Sequence, residues 1–337
     1  MKKNKPLLFT GLIIFGILVF LASLSIGRYH VSMADTAEAV ISKILGTQSD
    51  LPGEVFTVIF DIRLPRILLA LLVGISLSLA GTVFQGVFRN PLVSPFILGV
   101  SSGAGFGIAL GLVLGLNLFL VKLLGFGFGI VTVFLASFLG SALYNRSSIT
   151  MVLSGFVIGS LFSAATSFLK YIADPYTRLP AITFWLMGSF SYAEGGDLKY
   201  SALIFIACII GIFLLRWKLN ILAMGEEEAR NLGENTGRTG SLFIVLATLL
   251  TAISVSLCGI IGWIGLIVPH IGRMLVGPDH RKLVPFSILF GGTFMLIVDD
   301  IARTISSIEI PVGILMAIIG APLFIILLLK KNLHWEE

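Results

Sequence analysis

The sequence predicts an all-α integral membrane protein with about ten transmembrane helices, and three observations support this prediction. Hydrophobic residues make up 56% of the 337 residues and charged residues only 12%, against roughly 45 to 50% and about 25% in soluble domains. The apolar residues are gathered in runs of about 20, the length that an α-helix needs to cross a bilayer. The segments between these runs are too short for a soluble catalytic domain. We therefore expect one polytopic domain over residues 1–337.

Ten charge-poor runs are predicted to span the membrane: 7–27, 64–84, 93–113, 117–139, 149–169, 197–215, 240–257, 258–276, 283–302 and 311–329. The first run follows Lys2, Lys3 and Lys5, as in a secretory signal, but it is about twice as long as a signal core and no A-x-A site ends it. An even number of spans puts both termini on one side. Cytosolic termini leave most of the 23 Lys and Arg residues inside, as the positive-inside rule favours.

Three segments outside these runs need their own interpretation. Residues 31–60 form a polar outer segment, and the apolar run 181–190 is too short to cross, so it predicts a re-entrant or surface helix. The cytosolic loop 217–239 contains the sequence AMGEEEARNLGENTGR. Ala, Glu and Arg from Glu226 to Leu232 favour a short helix that Gly233 can end. This helix is either a solvated loop or a docking helix for a cytosolic partner.

Glycines in the third and fifth runs predict close helix packing. Gly99, Gly103, Gly107, Gly111 and Gly115 recur at every fourth position, which places them on one helix face that another backbone can approach. A phosphate-binding loop is the alternative, but no strand precedes these glycines and no lysine follows them. The pair Gly155 and Gly159 repeats the pattern.

The stretch 258–285 contains an apolar half, 259–268, that predicts a helix, followed by Pro269 and His270, where the helix should kink or end. His270 has no second ligand within its own helical turn, so packing or hydrogen bonding is favoured over metal binding. Cys208 and Cys258 both lie in apolar runs and are predicted to be buried free thiols.

Motifs for catalysis or nucleotide binding are missing from the sequence. It has no G-x-x-x-x-G-K-[ST], no H-E-x-x-H and no cysteine–histidine cluster. We therefore expect no enzyme activity, no catalytic residue, no metal site and no cofactor on this chain. The net charge of +5 is better explained by anionic lipid and orientation signals than by nucleic acid.

The segment DIRLPR, residues 61–66, places Arg63 and Arg66 at the predicted outer mouth of the second span. Two arginines there run against the positive-inside tendency. They either extend toward lipid headgroups or form a docking site for an acidic partner, because Arg presents a planar fork suited to carboxylates. Arg303 is a candidate companion, and Asp299 and Asp300 lie at helical spacing before it.

Five segments carry a resemblance to a known family: 62–74, 80–105, 225–233, 259–285 and 310–324. The chain resembles the FecCD family of ABC-importer permeases, which take up ferric siderophores, haem and cobalamin. The segments occur in family order and cover the whole transmembrane body. Residues Gly225 to Glu228 are unusually acidic, and the Val-Ser of PLVSP replaces the Ala-Asp or Ala-Glu frequent in the family.

The resemblance implies a type II ABC importer permease fold with ten helices, in which helices 2–5 and 7–10 form an inverted repeat. It also implies a prokaryotic cell-membrane protein that pairs with a second permease subunit, expected to be another copy, to enclose the substrate path. Two ATP-binding subunits would hold ATP and Mg²⁺, and an extracytoplasmic substrate-binding protein would deliver an iron complex. A ferric siderophore is the expected cargo, with haem or cobalamin as alternatives.

The family pattern assigns roles to individual residues. It assigns docking of the binding protein to Arg63, Arg66 and Arg303. It assigns coupling to the ATP-binding subunit to Gly225, Glu226, Glu227, Ala229, Arg230, Leu232 and Gly233. It places Ser147 and Ser148 at the cytosolic gate, and Ser154, Ser160, Ser163 and Thr166 along the path. It assigns structural roles to Arg89, Asn90, Pro91, Pro269 and His270.

An ion-coupled secondary transporter is the rival interpretation, since such proteins also use inverted repeats and interrupted helices. It would need an ionisable group in mid-span. The strongest candidates, Asp299 and Asp300, are predicted to lie too near the outer end of the ninth span.

Overall fold

The computed structural model describes residues 5–142, 148–191 and 195–329, and every regular element in these ranges is helical. The helices are α1 (Lys5–Ser25), α2 (Met33–Leu45), α3 (Gly53–Phe56), α4 (Leu64–Val87), α5 (Val100–Val113), α6 (Leu118–Ala142), α7 (Ser148–Ile172), α8 (Arg178–Leu186), α9 (Gly195–Met224), α10 (Glu226–Asn231), α11 (Thr236–Cys258), α12 (Ile264–Val276), α13 (His280–Thr304) and α14 (Val312–Leu329). A π-helical turn, Thr57–Arg63, joins α3 to α4.

Within the described residues, seven helices are long and apolar enough to cross a membrane: α1, the continuous stretch from α3 to α4, α6, α7, α9, α11 and α13. Three shorter apolar helices, α5, α12 and α14, complete the set. Each of the ten runs singled out in the sequence overlaps one of these ten helices, and several of the helices extend beyond the predicted run. The number of membrane crossings stays a prediction, because 14 residues in α5 and 13 in α12 are fewer than the roughly 20 that a straight crossing needs.

The helix α4 is the centre of the bundle, and α9, α11, α12 and α13 pack around it. In contrast, α1 exposes much of its apolar surface, including Ile17 and Leu18. In a membrane this surface faces lipid at no cost, so an apolar side chain does not have to be buried in protein. Helices α4 and α13 run from one end of the bundle to the other.

Two predicted spans begin later than the sequence suggests. The third was expected over 93–113, but turns occupy residues up to Gly99 and the helix starts at Val100. The prolines at positions 91 and 95 disfavour helical backbone in the residues before them. The eighth was expected to be helical from Gly259, but Gly259 and Trp263 have positive φ angles, 74° and 68°, and α12 starts at Ile264. This α12 helix passes through Pro269 without ending.

The glycine pattern does bring helices together, as predicted. A Cβ atom on Gly103 or Gly107 would lie 1.7 Å from Thr132 Oγ1 or 2.3 Å from the Leu124 carbonyl oxygen, so these glycines let α5 lie directly on α6. Gly155 and Gly159 of α7 make a similar approach to the turn that ends at Gly99. The two outermost glycines of the stripe, Gly99 and Gly115, lie outside α5 in left-handed backbone.

The remaining segments follow the sequence more closely. Helix α8 forms at the apolar run 181–190, and α2 lies within the polar segment 31–60. Cys208 and Cys258 are buried free thiols, as predicted. The inverted repeat stays a prediction.

Candidate functional site

The predicted coupling helix is present as α10, between two glycines with positive φ: Gly225 at 123° and Gly233 at 78°. Such backbone is rarely adopted by other residues, and it turns the chain abruptly at both ends of the helix. Ala229 is fully buried. Glu226 and Arg230 form an ion pair of 2.7 Å with both side chains well exposed. The helix is therefore held by one small side chain and presents its charged residues outward.

Residues after α10 fix it to the bundle. Glu234 accepts hydrogen bonds from Lys218 Nζ at 2.8 Å and from Thr239 Oγ1 at 2.5 Å. These donors hold the pKa of Glu234 below its ordinary value, so the carboxylate is charged at neutral pH. Lys218 belongs to α9 and Thr239 to α11. The segment carrying α10 is thus tied to both helices that flank it in sequence.

A polar clamp at Asn220 connects α9 to the start of α13. Its Nδ2 donates to Asp279 Oδ1 at 2.7 Å, and its Oδ1 accepts from the backbone N–H of His280 at 2.8 Å. The His280 ring Nδ1 lies 2.9 Å from the same oxygen. Across the ring, a Cβ on Gly86 would lie 2.7 Å from His280 Nε2. The helix that precedes α10 therefore contacts α13 and the end of α4. Sequence reasoning missed Asn220, because only the fold brings it to Asp279.

A groove of about 1190 Å³ opens at this same end of the bundle, between α4, α6, α7, α10 and α11. Its lining includes the apolar side chains Phe134 and Ile244 and the charged side chains Arg89, Glu226 and Arg230. Arg89 has a φ of 51°, and a Cβ on Gly225 would lie 3.4 Å from Arg89 NH1. Arg89, assigned a structural role by the family pattern, thus lies beside the coupling helix.

The turn after Arg89 is organised by Asn90, which Pro91 follows. The Asn90 side chain accepts a hydrogen bond from the Leu92 backbone N–H at 2.9 Å, and its own N–H donates to the Gln85 carbonyl. This arrangement is typical of Asn in tight turns.

The Pro269–His270 pair lies inside α12. Pro269 has no N–H to donate to the Gly265 carbonyl, and Gln85 Nε2 donates to that oxygen at 3.1 Å instead. Arg273 in turn donates to Gln85 Oε1. His270 is buried and its ring lies edge-on to Phe324, with centroids 6.0 Å apart. Among the described residues, no group of three or more His, Cys, Asp or Glu could hold a metal ion.

The residues assigned to the gate and path lie on or near α7. Ser147 falls outside the described residues, and Ser148 is the first residue of α7. Ser160 is exposed, and Ser163 Oγ donates to Ser102 Oγ at 3.2 Å. Ser154 and Thr166 are buried. The assignment of these residues to the gate and the path stays a prediction.

At the opposite end of the bundle, Arg63 caps α1. Its guanidinium donates to the carbonyl oxygens of Leu24 at 2.7 Å, Ser25 at 2.9 Å and Tyr29 at 2.5 Å. The last carbonyls of a helix have no partner within it, and here Arg63 supplies the donors. Only 4% of Arg63 is exposed.

Arg66 joins two carboxylates at this end. Its NH2 lies 2.7 Å from Asp299 Oδ1 and 2.8 Å from Glu309 Oε1. Asp299 is 1% exposed. Glu309 also accepts hydrogen bonds from Ser189 and Ser191. Burial alone would raise the pKa of Glu309, but the hydrogen bonds and charge of Arg66, with the two serines, outweigh burial and lower it to about 2.

Arg303 completes this cluster. It donates to the Ser23 carbonyl at 2.8 Å and pairs with Asp300, while its Nε lies 3.6 Å from Asp299 Oδ2. The three arginines predicted to dock a partner are therefore buried or half-buried and bonded within the chain. Their docking role stays a prediction. Sequence reasoning missed Glu309, although an acidic residue in the short loop before α14 was a visible signal.

Comparisons with known proteins agree with this architecture. The model of the FecCD transport family matches residues 13–330. The molybdate import permease MolB of Haemophilus influenzae is 43% identical over 328 residues, which cover 96% of each chain. The hemin transport permease HmuU of Yersinia pestis is 36% identical over 279 residues, which cover 81% of this chain and 83% of that protein.

A solved structure provides the corresponding comparison of folds. An inward-facing ABC transporter of the metal-chelate type superposes with a TM-score of 0.87 at 42% identity, covering 96% of this chain and 99% of the other. The sequence resemblance and the fold therefore agree over nearly the whole length. The chain belongs to the FecCD transport family and is a membrane-spanning permease of the ABC importer type.

Proposed function

We propose that this permease carries an iron complex, with a ferric siderophore as the first candidate, along a path between two copies of the chain. ATP hydrolysis in two separate ATP-binding subunits drives the transport, and an extracytoplasmic binding protein delivers the cargo. Both termini lie in the cytosol, at the end of the bundle that carries α10. The single observation that carries the ATP-driven part of this proposal is α10, a short exposed helix that is fixed to α9 and α11 and lies beside Arg89.

The geometry of α10 suits the transmission of force from a docked subunit. The helix exposes the Glu226–Arg230 pair, and Leu232, directly after it, is also exposed. Together they offer two charges and one apolar side chain to a groove in the partner. The buried Ala229 and the Lys218–Glu234 bond connect α10 to the bundle. When α10 moves, α9 and α11 should therefore move with it. We infer that the ATP-binding subunit acts on the bundle through this contact.

The α7 surface suits the wall of a path for a polar cargo. Ser160, Ser163 and Ser167 recur at helical spacing on an accessible face. Their hydroxyls are neutral and bond within the chain. A neutral wall gives a bulky complex weak contacts, so selectivity rests mainly on the binding protein.

Docking of the binding protein is proposed at the end that carries Arg63, Arg66 and Arg303. These side chains hold α1, α4, α13 and the loop before α14 together. In this proposal they therefore have two roles, internal bonding and docking. A charge reversal at Arg63 or Arg66 would break internal bonds as well as docking, so it cannot separate the two. A clean test exchanges exposed Asp61 for Lys and measures binding-protein affinity, with Asp50→Lys in the preceding loop as the matched control. Docking at the arginine cluster predicts a larger change in affinity for Asp61→Lys, two residues from Arg63, than for Asp50→Lys.

Energy coupling is tested by replacing residues 226–230 with a Gly-Ser linker in the assembled transporter. The proposal expects ATP hydrolysis to continue without substrate uptake in proteoliposomes. The matched control replaces residues 46–50, an exposed turn after α2, with a linker of equal length. Uptake that survives in the α10 variant and matches the control would contradict the coupling role.

Molybdate is a second candidate cargo, because the permease MolB is 43% identical across 96% of both chains. Uptake of a radiolabelled ferric siderophore and of radiolabelled molybdate is compared in vesicles that contain the complete transporter and its cognate binding protein. Uptake of the siderophore alone supports the first candidate. Uptake of molybdate alone replaces it and leaves the permease assignment intact.

The rival, an ion-coupled secondary transporter, would need an ionisable group free to exchange a proton or cation in mid-membrane. The strongest candidate, Asp299, is paired with Arg66 and lies beside Arg303. Uptake that collapses with an ionophore and persists without ATP would favour the rival.

A further inference from the structure

Helix α2 exposes its apolar side and buries its small polar side. Met33, Ile41, Ile44 and Leu45 are 67%, 55%, 77% and 68% exposed, whereas Thr36, Ala39 and Ser42 are buried against the rest of the chain. In water this would leave four large apolar side chains unpartnered. A surface helix of a soluble protein has the opposite arrangement.

The exposed apolar side of α2 is continuous and free of charge. At 100° per residue, Met33, Ile44, Ala37, Ile41 and Leu45 fall within an arc of about 120°. Lys43 lies on another side of the helix and its Nζ is 5.6 Å from the centre of the Phe60 ring. Glu38, at the edge of the arc, is held by Ser49 Oγ at 2.7 Å. The arc has the composition expected of a surface against lipid.

The level of α2 relative to the membrane is fixed through α1. Helix α1 has 21 residues, about 31 Å at 1.5 Å per residue, which matches a hydrocarbon core of about 30 Å. Its last residue, Ser25, bonds through Oγ to Thr36 Oγ1 of α2 at 3.0 Å. The first turns of α2 therefore lie at the level where α1 leaves the hydrocarbon.

A second contact keeps the other end of α2 near the same level. Lys43 lies over Phe60, which is three residues before Arg63, and Arg63 is bonded to the Leu24 and Ser25 carbonyls at the end of α1. Phe60, the residue that Lys43 contacts, thus lies about one helical turn along the chain from the arginine that bonds the end of α1. Because α2 itself is about 20 Å long, it lies along the membrane face and does not project from it.

We propose that α2 is an interfacial helix, whose apolar arc of Met33, Ile41, Ile44 and Leu45 is immersed at the headgroup–acyl boundary of the bilayer. Lipid is favoured over a protein partner because the arc lies at the level where the lipid-facing surface of α1 ends. The exposed apolar residues of that surface include Ile17, Leu18 and Leu21. Exposed Tyr29 lies between the two helices, and Tyr is enriched at this boundary.

The test places an environment-sensitive fluorophore on cysteine variants in the full chain. Cys208 and Cys258 are first replaced by Ala, so that the introduced cysteine alone reacts. Ile44→Cys and Ile41→Cys report on the arc, and Gln48→Cys, exposed in the loop beyond α2, is the control. The variants are reconstituted in phosphatidylethanolamine–phosphatidylglycerol vesicles, without partner proteins, and exposed to iodide in the water or to nitroxide lipids labelled near the headgroup.

The proposal expects a blue-shifted emission at positions 44 and 41, with several-fold stronger quenching by nitroxide lipid and several-fold weaker quenching by iodide than at position 48. Two results would overturn it. One is quenching by iodide at both arc positions equal to that at position 48. The other is an arc that stays water-accessible in vesicles and becomes shielded only when a substrate-binding protein is added, which would make the arc a protein-docking surface. A monodisperse chromatographic profile in detergent confirms that each variant is folded.

Discussion

Gln85 donates a hydrogen bond at 3.1 Å to the carbonyl oxygen of Gly265, the oxygen that Pro269 leaves without its helical donor. Arg273, one turn beyond the proline, donates to the Oε1 of the same glutamine. One side chain of α4 therefore satisfies two groups of α12 across a buried helix crossing, and it lets a proline remain within the helix.

Gln85→Leu should destabilise the bundle by about 1 to 3 kcal/mol, because it leaves a buried carbonyl and a buried guanidinium without their partner. Thermal unfolding in detergent, followed by intrinsic fluorescence, measures the change. Gln85→Glu separates the two bonds, since it keeps an acceptor for Arg273 but has no donor for Gly265. A Leu variant as stable as the wild type would show that the crossing does not depend on this residue.

Gly81→Ala should be strongly destabilising, because the added Cβ would lie 1.9 Å from the Gly265 carbonyl oxygen. The three nearest atoms all belong to the Gly265 backbone, so the clash is relieved only if α4 and α12 move apart. Overpacked sites typically cost about 1 to 3 kcal/mol. The control is Gly11→Ala in α1, where a Cβ meets nothing within 4 Å and stability should change by less than about 0.5 kcal/mol. Equal unfolding temperatures for the two variants would refute the close approach.

Glu309 should make stability fall in acid. Its pKa is lowered from 4.5 to about 2 in the folded protein, so its contribution is fully present above about pH 4.5 and is lost as the pH falls toward 2. The difference in unfolding temperature between wild type and Glu309→Gln should therefore be largest near neutral pH and shrink between about pH 4.5 and 2. Asp50→Asn, at an exposed loop position, is the control. A difference that does not depend on pH would contradict the Arg66–Glu309 pairing.

Asn220→Ala should reduce substrate uptake per ATP hydrolysed, because it removes the link from α9 to Asp279 and His280 at the start of α13. Binding of the ATP-binding subunit should stay intact, since α10 is not altered. The measurement compares ATP hydrolysis with uptake in the same proteoliposomes. Lys199→Ala, exposed near the other end of α9, is the control. Unchanged coupling in Asn220→Ala would show that α9 does not transmit movement to α13 through this contact.

Local signals in the sequence were sufficient for most elements. The ten apolar runs located the apolar helices because hydrophobic length is a property of each segment alone. The acidic stretch from Glu226 and the bounding glycines located α10 for the same reason. The spacing of Gly103 and Gly107 predicted a packed face, although it did not identify α6 as the neighbour.

The sequence was less informative where segments distant along the chain meet. It could not show that Gln85 completes the hydrogen bonding at Pro269, or that Asn220 caps α13, because the partners are 180 and 59 residues apart. It also placed the start of α12 too early. The positive φ angle at Gly259 arises where the chain packs closely on Trp185 and Gly188, and Trp263, also at positive φ, packs against Gly320. Apolar composition does not reveal such constraints.

The arginines show most clearly what each level decides. Sequence alone determined that Arg63, Arg66 and Arg303 lie near the ends of apolar helices and that their charge must be compensated there. Only the tertiary structure decided how, by bringing the end of α1 to Arg63 and the side chains of Asp299 and Glu309 to Arg66. The physical reason is that the cost of placing a charge in an apolar segment is local, whereas the groups that offset that cost are supplied by whichever helices pack beside it.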